Sequence, residues 1–296
     1  MKHLTIGIFG ENELIKRLAK QGTVNDIAIY NHASSEGVFT YISPNSEKLS
    51  PLLQAINIID VPVLAGQITK ELAEQIVAID AFGFEKGFVL NEEIKSIAKN
   101  TCIENFSVVD EKELREKVKE IESMPIAKSA WIPIDNYFDV KSVGTVILSV
   151  IKGGSVKKHD KLFVQPLNKE VVVKGIQSQD RDMEEASAGM RIGLNLKGVE
   201  AGELKRGYVI CKEANVSKAV SLEFSKSKFS KEDISSGSSI LLSVGLQVVS
   251  AKAESIEDKK INFSLEQPVA FFSGQKCLLA STKQDMPRII GGGVLI

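Results

Sequence analysis

The chain has 296 residues, of which 43% are hydrophobic and 25% are charged, and its formal net charge is −1. These proportions are typical of a folded globular protein and exclude disordered, collagen-like and coiled-coil chains. No apolar stretch approaches the roughly 20 residues of a membrane-spanning helix, and no secretory leader is recognisable. We therefore predict a cytoplasmic protein of two or three domains that does not bind membranes.

The first 122 residues alternate strand-like and helix-like patterns. An apolar run at 4–9 predicts a first strand, and the spacing of Leu14, Ile15 and Leu18 predicts a first helix over 13–21. Further strands are predicted at 26–32, 37–42, 62–64 and 87–90, and further helices at 49–59, 70–81 and 111–122. Strands separated by helices imply a covered, parallel sheet, so we predict an α/β domain over residues 1–124.

Beyond Pro125 the sequence changes to short alternating runs punctuated by glycine, with scarcely a helical stretch. Strands are predicted at 145–151, 161–165, 171–176, 191–196 and 207–211, and the same pattern resumes from Val216. Many short, closely spaced strands favour barrels or sandwiches. We predict two β-barrels, over residues 125–213 and 214–296.

The cysteine and histidine residues give no sign of a metal site or of covalent catalysis. Cys102, Cys211 and Cys277 are far apart, and the sequence has no pair of cysteines at metal-ligand spacing. The three histidines also stand alone, without a second ligand nearby. The sequence therefore predicts reduced, structural thiols, no metal and no catalytic residue.

Charge is distributed unevenly along the chain. Residues 1–122 contain 13 basic and 19 acidic side chains, whereas residues 123–212 contain 14 basic and 10 acidic ones. A polyanion is attracted to the middle segment and repelled by the first, although the positive balance is far below that of a dedicated nucleic-acid domain. Charge permits RNA binding without requiring it.

Five segments of the middle domain, in order and in spacing, resemble the second domain of the EF-Tu class of translation factors. They are 132–138 (IPIDNYF), 144–147 (GTVI), 152–157 (KGGSVK), 184–193 (EEASAGMRIG) and 206–210 (RGYVI). The closing segment 287–294 (PRIIGGGV) resembles the end of the third domain of that class. Within the class, the sequence is most similar to the SelB type, which is dedicated to selenocysteyl-tRNA. The alternative is a barrel of this type that serves only as structure.

The resemblance implies a pocket for the aminoacylated 3′ end of a tRNA. Gln177 matches the position that packs on the terminal adenosine, and Arg191 matches the position that lines the amino-acid pocket; the SelB type also has Gln and Arg there. Asp135 and Asn136 match the Asp-His pair that completes the SelB pocket, with Asn in place of His. The loss of His makes an anionic selenolate a doubtful cargo. An ion pair between Asp135 and Arg191 that only braces the barrel is the alternative interpretation.

The resemblance also implies a GTPase as the first domain, but its phosphate-binding motif is missing. Phosphate cradling needs GxxxxGK[ST], in which backbone N–H groups, a lysine and a hydroxyl meet the phosphates and Mg²⁺. The matching turn, 7–14, reads GIFGENEL. Gly7 and Gly10 remain from the motif, and Glu11 and Glu13 stand close to where the lysine is required. Carboxylates at this turn repel a triphosphate.

Two further GTPase motifs are also lost. The DxxG motif is expected after the strand at 37–42, where the chain reads Ser43-Pro44-Asn45-Ser46-Glu47. The guanine-reading NKxD motif is expected after the strand at 87–90, and there only Asn91 survives. We therefore predict a shortened, degenerate P-loop GTPase-like domain that has been retained as a scaffold.

The sequence thus predicts a SelB-like elongation factor without the C-terminal SelB extension, whose partners are aminoacyl-tRNA and the ribosome, with no role for DNA. Pyrrolysyl-tRNA is one candidate cargo. No cofactor is expected, although GTP and Mg²⁺ are possible if weak binding persists. One alternative is a functional GTPase with an atypical phosphate loop, in which Lys16 or Lys20 reaches the nucleotide from the first helix. The other is a module that docks on the ribosome or on a factor and binds no tRNA.

Overall fold

A computed structural model describes residues 2–283 and 285–296. The first part of the chain, 2–120, forms an α/β unit. Its strands are β1 (Lys2–Phe9), β2 (Lys20–Val24), β3 (Ile27–Ala33), β4 (Gly37–Pro44), β5 (Val61–Leu64), β6 (Phe88–Val89) and β7 (Ser107–Val108). Its α-helices are α1 (Asn12–Leu18), α2 (Leu49–Ile58), α3 (Lys70–Phe82), α4 (Glu92–Ile97) and α5 (Glu111–Lys117), and short 3₁₀ helices occupy Cys102–Asn105 and Val118–Glu120.

The seven strands of this unit form one sheet in the order β2-β3-β4-β1-β5-β6-β7. The central strand β1 runs parallel to both of its neighbours, β4 and β5, whereas β2, β3 and β4 form antiparallel hairpins. Helices cover both faces, so that β1 is buried from Leu4 to Phe9. Connections diverge to the two sides of β1, and the crevice at its carboxyl end is the point where such sheets bind ligands.

The first helix is shorter than predicted. Helix α1 ends at Leu18, and Lys20 begins the edge strand β2, which pairs with β3. Two turns are enough to bury the apolar side chains Leu14, Ile15 and Leu18, after which the segment has no apolar face left to pack. Because β2 lies at the sheet edge and is mostly exposed, it shows no hydrophobic alternation from which it could have been predicted.

The middle β unit, 131–211, has ten strands. They are β8 (Trp131–Pro133), β9 (Asn136–Val140), β10 (Gly144–Val150), β11 (Ser155–Lys157), β12 (Lys161–Gln165), β13 (Lys169–Ser178), β14 (Arg181–Met183), β15 (Glu185–Ser187), β16 (Arg191–Lys197) and β17 (Val209–Cys211). Eight of them make a sheet in the order β8-β17-β12-β13-β16-β10-β9, with β14 on β13, while β11 pairs with β15. The sheet curls until the end of β8 meets β10, where the Asp135 N–H donates to the Leu148 carbonyl at 3.1 Å.

The remaining strands form a closed barrel, called here the C-terminal barrel. They are β18 (Asn215–Lys226), β19 (Ser239–Val244), β20 (Gln247–Glu257), β21 (Lys260–Phe271), β22 (Lys276–Ser281) and β23 (Ile289–Leu295), in the order β18-β21-β20-β19-β22-β23. The fold is therefore the predicted one, an α/β unit followed by two β-barrel units. In the described residues, no helix combines the length and apolarity that crossing a membrane requires.

The α/β unit and the C-terminal barrel share one hydrophobic core. Apolar side chains of α2 and α3 pack against four buried barrel residues, Leu246, Leu278, Ala280 and Ile289. At the margin of this core the Arg288 Nε donates to the Glu74 carboxylate at 3.0 Å, and Glu74 is only 3% exposed. A shared core with a buried ion pair at its margin opposes rotation of one unit against the other.

The middle unit is also tied to the α/β unit, in this case by ion pairs. The Lys152 ammonium lies 2.7 Å from an Asp60 carboxylate oxygen, and both side chains are buried. The other Asp60 oxygen accepts the Thr5 N–H at 2.8 Å. Nearer the end of the β2–β3 hairpin, Arg206 Nη1 lies 2.6 Å from Asp26. The buried Lys152–Asp60 pair holds the middle unit against the sheet, and the Asp26–Arg206 pair joins the turn of the hairpin to the middle unit.

Burial keeps all three thiols protonated at neutral pH. It raises the pKa of Cys102 and of Cys211 to about 11 and that of Cys277 to about 12; at Cys102 the nearby Asp80 carboxylate adds to the effect. We expect iodoacetamide at pH 8 to leave the native protein nearly unlabelled, because only about one thiol in a thousand is then ionised. All three should react in denaturant. Rapid labelling of the native protein at any of the three, measured by mass spectrometry, would contradict this.

Candidate functional site

Two of the four predicted pocket residues, Gln177 and Arg191, line a cavity of about 590 Å³ between the α/β unit and the middle unit. One wall is the β2–β3 hairpin, and the other is the face of the middle unit formed by β9, β10, β13, β14 and β16. The hairpin contributes Lys20, Gln21, Gly22, Thr23 and Asn31. The middle unit contributes Phe138, Val140, Val143, Val146, Leu148, Gly175, Gln177, Ser178, Gln179, Asp180, Asp182, Arg191, Ile192, Gly193 and Asn195. The hairpin wall is polar, and the wall on the middle unit combines an apolar patch with polar groups.

Arg191 lines the cavity and pairs with Asp135 behind it. Arg191 is the first residue of β16, opposite Val150 of β10, and both charged side chains are less than 10% exposed. The guanidinium holds the carboxylate with both terminal nitrogens, with Nη2 at 3.0 Å from Oδ1. Burial raises the pKa of Asp135, and the charge of Arg191 opposes that rise. The ion pair is therefore buried within the middle unit, and Arg191 is the partner that also lines the cavity.

Gln177 lies on the same wall as Arg191. It faces Gly193 across the β13–β16 pair, is exposed, and donates through Nε2 to Asp182 at 2.8 Å. Two residues further along β16, the Asn195 side-chain oxygen is buried and accepts no hydrogen bond from any described residue. Asn195 thus contributes a side chain to the cavity wall, while its oxygen is covered by the protein.

Asn136 does not join the other predicted residues. It begins β9 and its side-chain oxygen accepts the N–H of Tyr137 at 2.9 Å, and it is absent from the described residues that line the cavity. The structure thus brings together Gln177 and Arg191, with Asp135 behind Arg191. The hairpin wall is not predicted from the sequence. The helical pattern places Lys20 in the first helix, whereas Lys20 lies on β2 beside the cavity.

The turn that matches the phosphate loop is closed. Gly10 has φ +88°, and a Cβ added there would lie 2.2 Å from the carbonyl oxygen of Ala65. The adjoining Gly66, with φ +85°, packs against Glu11 in the same way. Gly7 lies within β1, where an added Cβ would meet Ile59. The turns that follow β1 and β5 therefore pack directly on each other, and no cradle of backbone N–H groups opens between them.

Charged side chains around this turn are paired with one another. Glu11 accepts from Arg17 at 2.9 Å, and Arg17 also reaches Glu111 at 3.0 Å. Lys16, one of the two lysines of the GTPase alternative, lies on the exposed side of α1 and pairs with Glu13 at 2.6 Å. Asn91 caps α4 through the Glu93 N–H and donates to the Gly66 carbonyl at 3.1 Å, so that it holds the two loops together.

A second cavity, of about 540 Å³, lies beside this turn at the carboxyl end of β1. Its walls carry the carboxylates of Glu47, Glu71 and Glu74 against the cations Lys48 and Arg288, and Arg288 is already paired with Glu74. This balance does not suit a triphosphate. Within residues 2–283 and 285–296, no group of three or more His, Cys, Asp or Glu side chains is arranged to hold a metal ion.

Comparison with known proteins gives a family for this architecture. Residues 144–211 match the family model for elongation factor Tu domain 2. Over its whole length the chain is 36% identical to the uncharacterized protein MJ0325 of Methanocaldococcus jannaschii, and the match also covers the whole of that protein. The chain belongs to the same family as this archaeal protein. Within the EF-Tu class it is SelB-like, as the sequence predicted.

The SelB likeness extends through all three units. The chain is 29% identical to the selenocysteine-specific elongation factor of M. jannaschii, with 97% of the chain covering 66% of that protein. A crystal structure of the bacterial selenocysteine-specific elongation factor EF-Sec superposes with a TM-score of 0.85 at 21% identity, covering the whole chain and 58% of that structure. These similarities confirm the predicted fold and support a role for this SelB-like protein in translation.

Proposed function

We propose that this SelB-like protein binds the aminoacylated 3′ end of a tRNA in the cavity between the α/β and middle units, and that it does so without a GTP cycle of its own. The observation that carries the proposal is the meeting of Gln177 and Arg191 on one wall of that cavity. They match the adenosine-contacting and amino-acid-contacting positions of the EF-Tu class. A volume of about 590 Å³ suits a nucleoside with an attached aminoacyl group.

The chemistry of the wall fits such a ligand. An aminoacyl ester offers an ammonium group and ribose hydroxyls as donors, and the exposed carboxylates of Asp180 and Asp182 on the cavity wall are matching acceptors. Phe138 is 39% exposed and also lines the cavity, where it offers an aromatic face to a base. The Arg191 guanidinium presents its N–H donors in a fixed planar fork, which suits a carbonyl oxygen of the aminoacyl group.

The second half of the proposal, loss of the GTP cycle, is supported by the region around β1. The phosphate turn is closed by Gly10 against Ala65, α1 begins beside two glutamates, and the neighbouring cavity carries an excess of carboxylates. The residues present therefore do not fit GTP and Mg²⁺. The shared core of the α/β unit and the barrel further opposes the movement of units that a nucleotide switch needs.

The proposal places the protein in the cytoplasm, with the ribosome as its second partner, since an aminoacyl-tRNA carrier delivers its cargo there. The polar lining around Arg191 favours a side chain that forms hydrogen bonds over a bulky apolar one.

A nucleotide titration tests directly whether the GTP cycle has been lost. We expect labelled GTP and GDP to bind no more tightly than millimolar, with and without Mg²⁺. Micromolar, Mg²⁺-dependent binding would contradict the loss of the cycle and would support the alternative of a functional GTPase. SelB itself, under the same conditions, is the positive control.

The variant Gln177→Ala tests the pocket. We expect it to weaken binding of charged and uncharged tRNA alike, by about 2- to 10-fold, because Gln177 contacts the nucleotide and not the amino acid. Gln267→Ala, at an exposed position of β21 outside the cavity, is the matched control and should change nothing. A wild-type protein that binds neither tRNA form would leave the ribosome-docking module as the better account.

A further inference from the structure

The hairpin wall of the cavity carries a cation that neither the resemblance nor the fold explains. Lys20 lies directly across from Asn31 in the β2–β3 pair, so both side chains leave the same face of the sheet edge. Both line the cavity that contains Gln177 and Arg191. Lys20 is exposed and, in the described residues, forms no ion pair or side-chain hydrogen bond.

The charges inside this cavity are divided between its two walls. On the middle unit, Arg191 is neutralised by Asp135, while Asp180 and Asp182 add negative charge at the β13–β14 turn. On the hairpin wall, Lys20 is the cation that no described carboxylate matches. An anionic ligand group is therefore repelled by the aspartates and attracted to the hairpin.

The proposed ligand has one obligatory type of anion. In an aminoacyl-tRNA the carboxyl group of the amino acid is esterified to the terminal ribose and carries no charge. The phosphodiesters of the 3′ strand remain, and they are present whichever amino acid is attached. A lysine ammonium on a flexible stem is suited to a phosphate as a point charge.

We propose that Lys20 binds a phosphodiester next to the terminal nucleotide, which makes the β2–β3 hairpin the backbone-binding half of the site. This inference rests on the proposed function and adds a residue to it. Arg191 and Gln177 read the aminoacyl group and the terminal base, whereas Lys20 contacts RNA without regard to cargo. The ion pair Asp26–Arg206 joins the turn of the hairpin to the middle unit, which carries the other half of the site.

The test compares Lys20→Gln with Lys16→Gln. Lys16 lies four residues earlier on α1, is exposed and pairs with Glu13, and it does not line the cavity, so it controls for the loss of one positive charge nearby. Affinities for charged and deacylated tRNA are measured across a salt series. Because Lys20 is exposed, the melting temperature of Lys20→Gln should equal that of the wild type.

We expect Lys20→Gln to weaken both tRNA forms equally, by about 3- to 10-fold, and to reduce the slope of log K against log salt concentration by about 0.7, the value for one phosphate of a single strand. Lys16→Gln should leave the slope unchanged. A tRNA with a neutral methylphosphonate at the last internucleotide linkage should bind the wild type more weakly, and Lys20→Gln should bind it no more weakly than it binds the natural tRNA.

Two results would overturn the assignment while leaving the proposed function intact. One is a Lys20→Gln protein with wild-type affinity and salt slope, and the other is a loss confined to charged tRNA, which would make Lys20 a contact of the amino acid. A wild-type protein that binds neither tRNA form overturns both proposals.

Discussion

Replacing Arg191 with alanine is expected to lower the free energy of unfolding by about 3–5 kcal/mol, because the change leaves the Asp135 carboxylate buried without a partner. The same variant should bind charged tRNA about 10- to 100-fold more weakly, the cost of one buried charge-assisted hydrogen bond. Chemical denaturation and a binding titration, made well below the melting temperature of the variant, measure the two effects.

A paired replacement separates the two roles of Arg191. Asp135→Leu combined with Arg191→Met removes both charges together, and exchanges of this kind often keep or recover stability. We expect the double variant to recover most of the stability lost in Arg191→Ala and to keep the weak binding of charged tRNA. Wild-type binding in the stable double variant would show that Arg191 is a brace alone.

Replacing Ile289 with alanine is expected to cost about 2–5 kcal/mol of stability and to destabilise the α/β unit as much as the barrel. Ile289 is a fully buried residue of β23 within the core that the barrel shares with α2 and α3. Calorimetry should therefore record one transition, shifted to lower temperature. Two transitions, with only one of them shifted, would contradict a shared core.

Val294 is the matched control for this prediction. It lies on the same strand as Ile289 but is 37% exposed. Val294→Ala should change the melting temperature little.

By the same reasoning, a fragment that begins at Met124 should lose cooperative unfolding, because it exposes the buried barrel residues Leu246, Leu278 and Ile289.

The fold could be predicted from the sequence because its strands and helices bury regular apolar patterns. The strand β1 reads as a continuous apolar run, and α3 spans almost the residues that its periodicity predicts. The edge strand β2 could not be predicted, since its exposed side chains carry no such pattern. Contacts within the sheet determine its pairing with β3. The last apolar residue of the helical pattern is Leu18, and nothing in the sequence directly after it indicates a strand.

The site could be predicted only in part. The positions Gln177 and Arg191 follow from family spacing within one β unit, and the structure brings both of them to the cavity. The hairpin wall with Lys20 comes from a different unit more than 150 residues earlier, and no local pattern links it to Arg191. The shared core could not be predicted either. An apolar residue such as Leu278 gives the same sequence pattern whether it packs inside its own barrel or against a neighbouring unit.

The affinity of the nucleotide-free protein for an aminoacyl-tRNA, compared with that for the deacylated tRNA and measured again with GTP and Mg²⁺, tests the proposed function. We expect the aminoacylated form to bind more tightly than the deacylated form, and GTP to change neither dissociation constant. A dissociation constant for the aminoacylated form that falls tenfold or more when GTP is added would contradict the proposed function, and so would equal binding of the two forms.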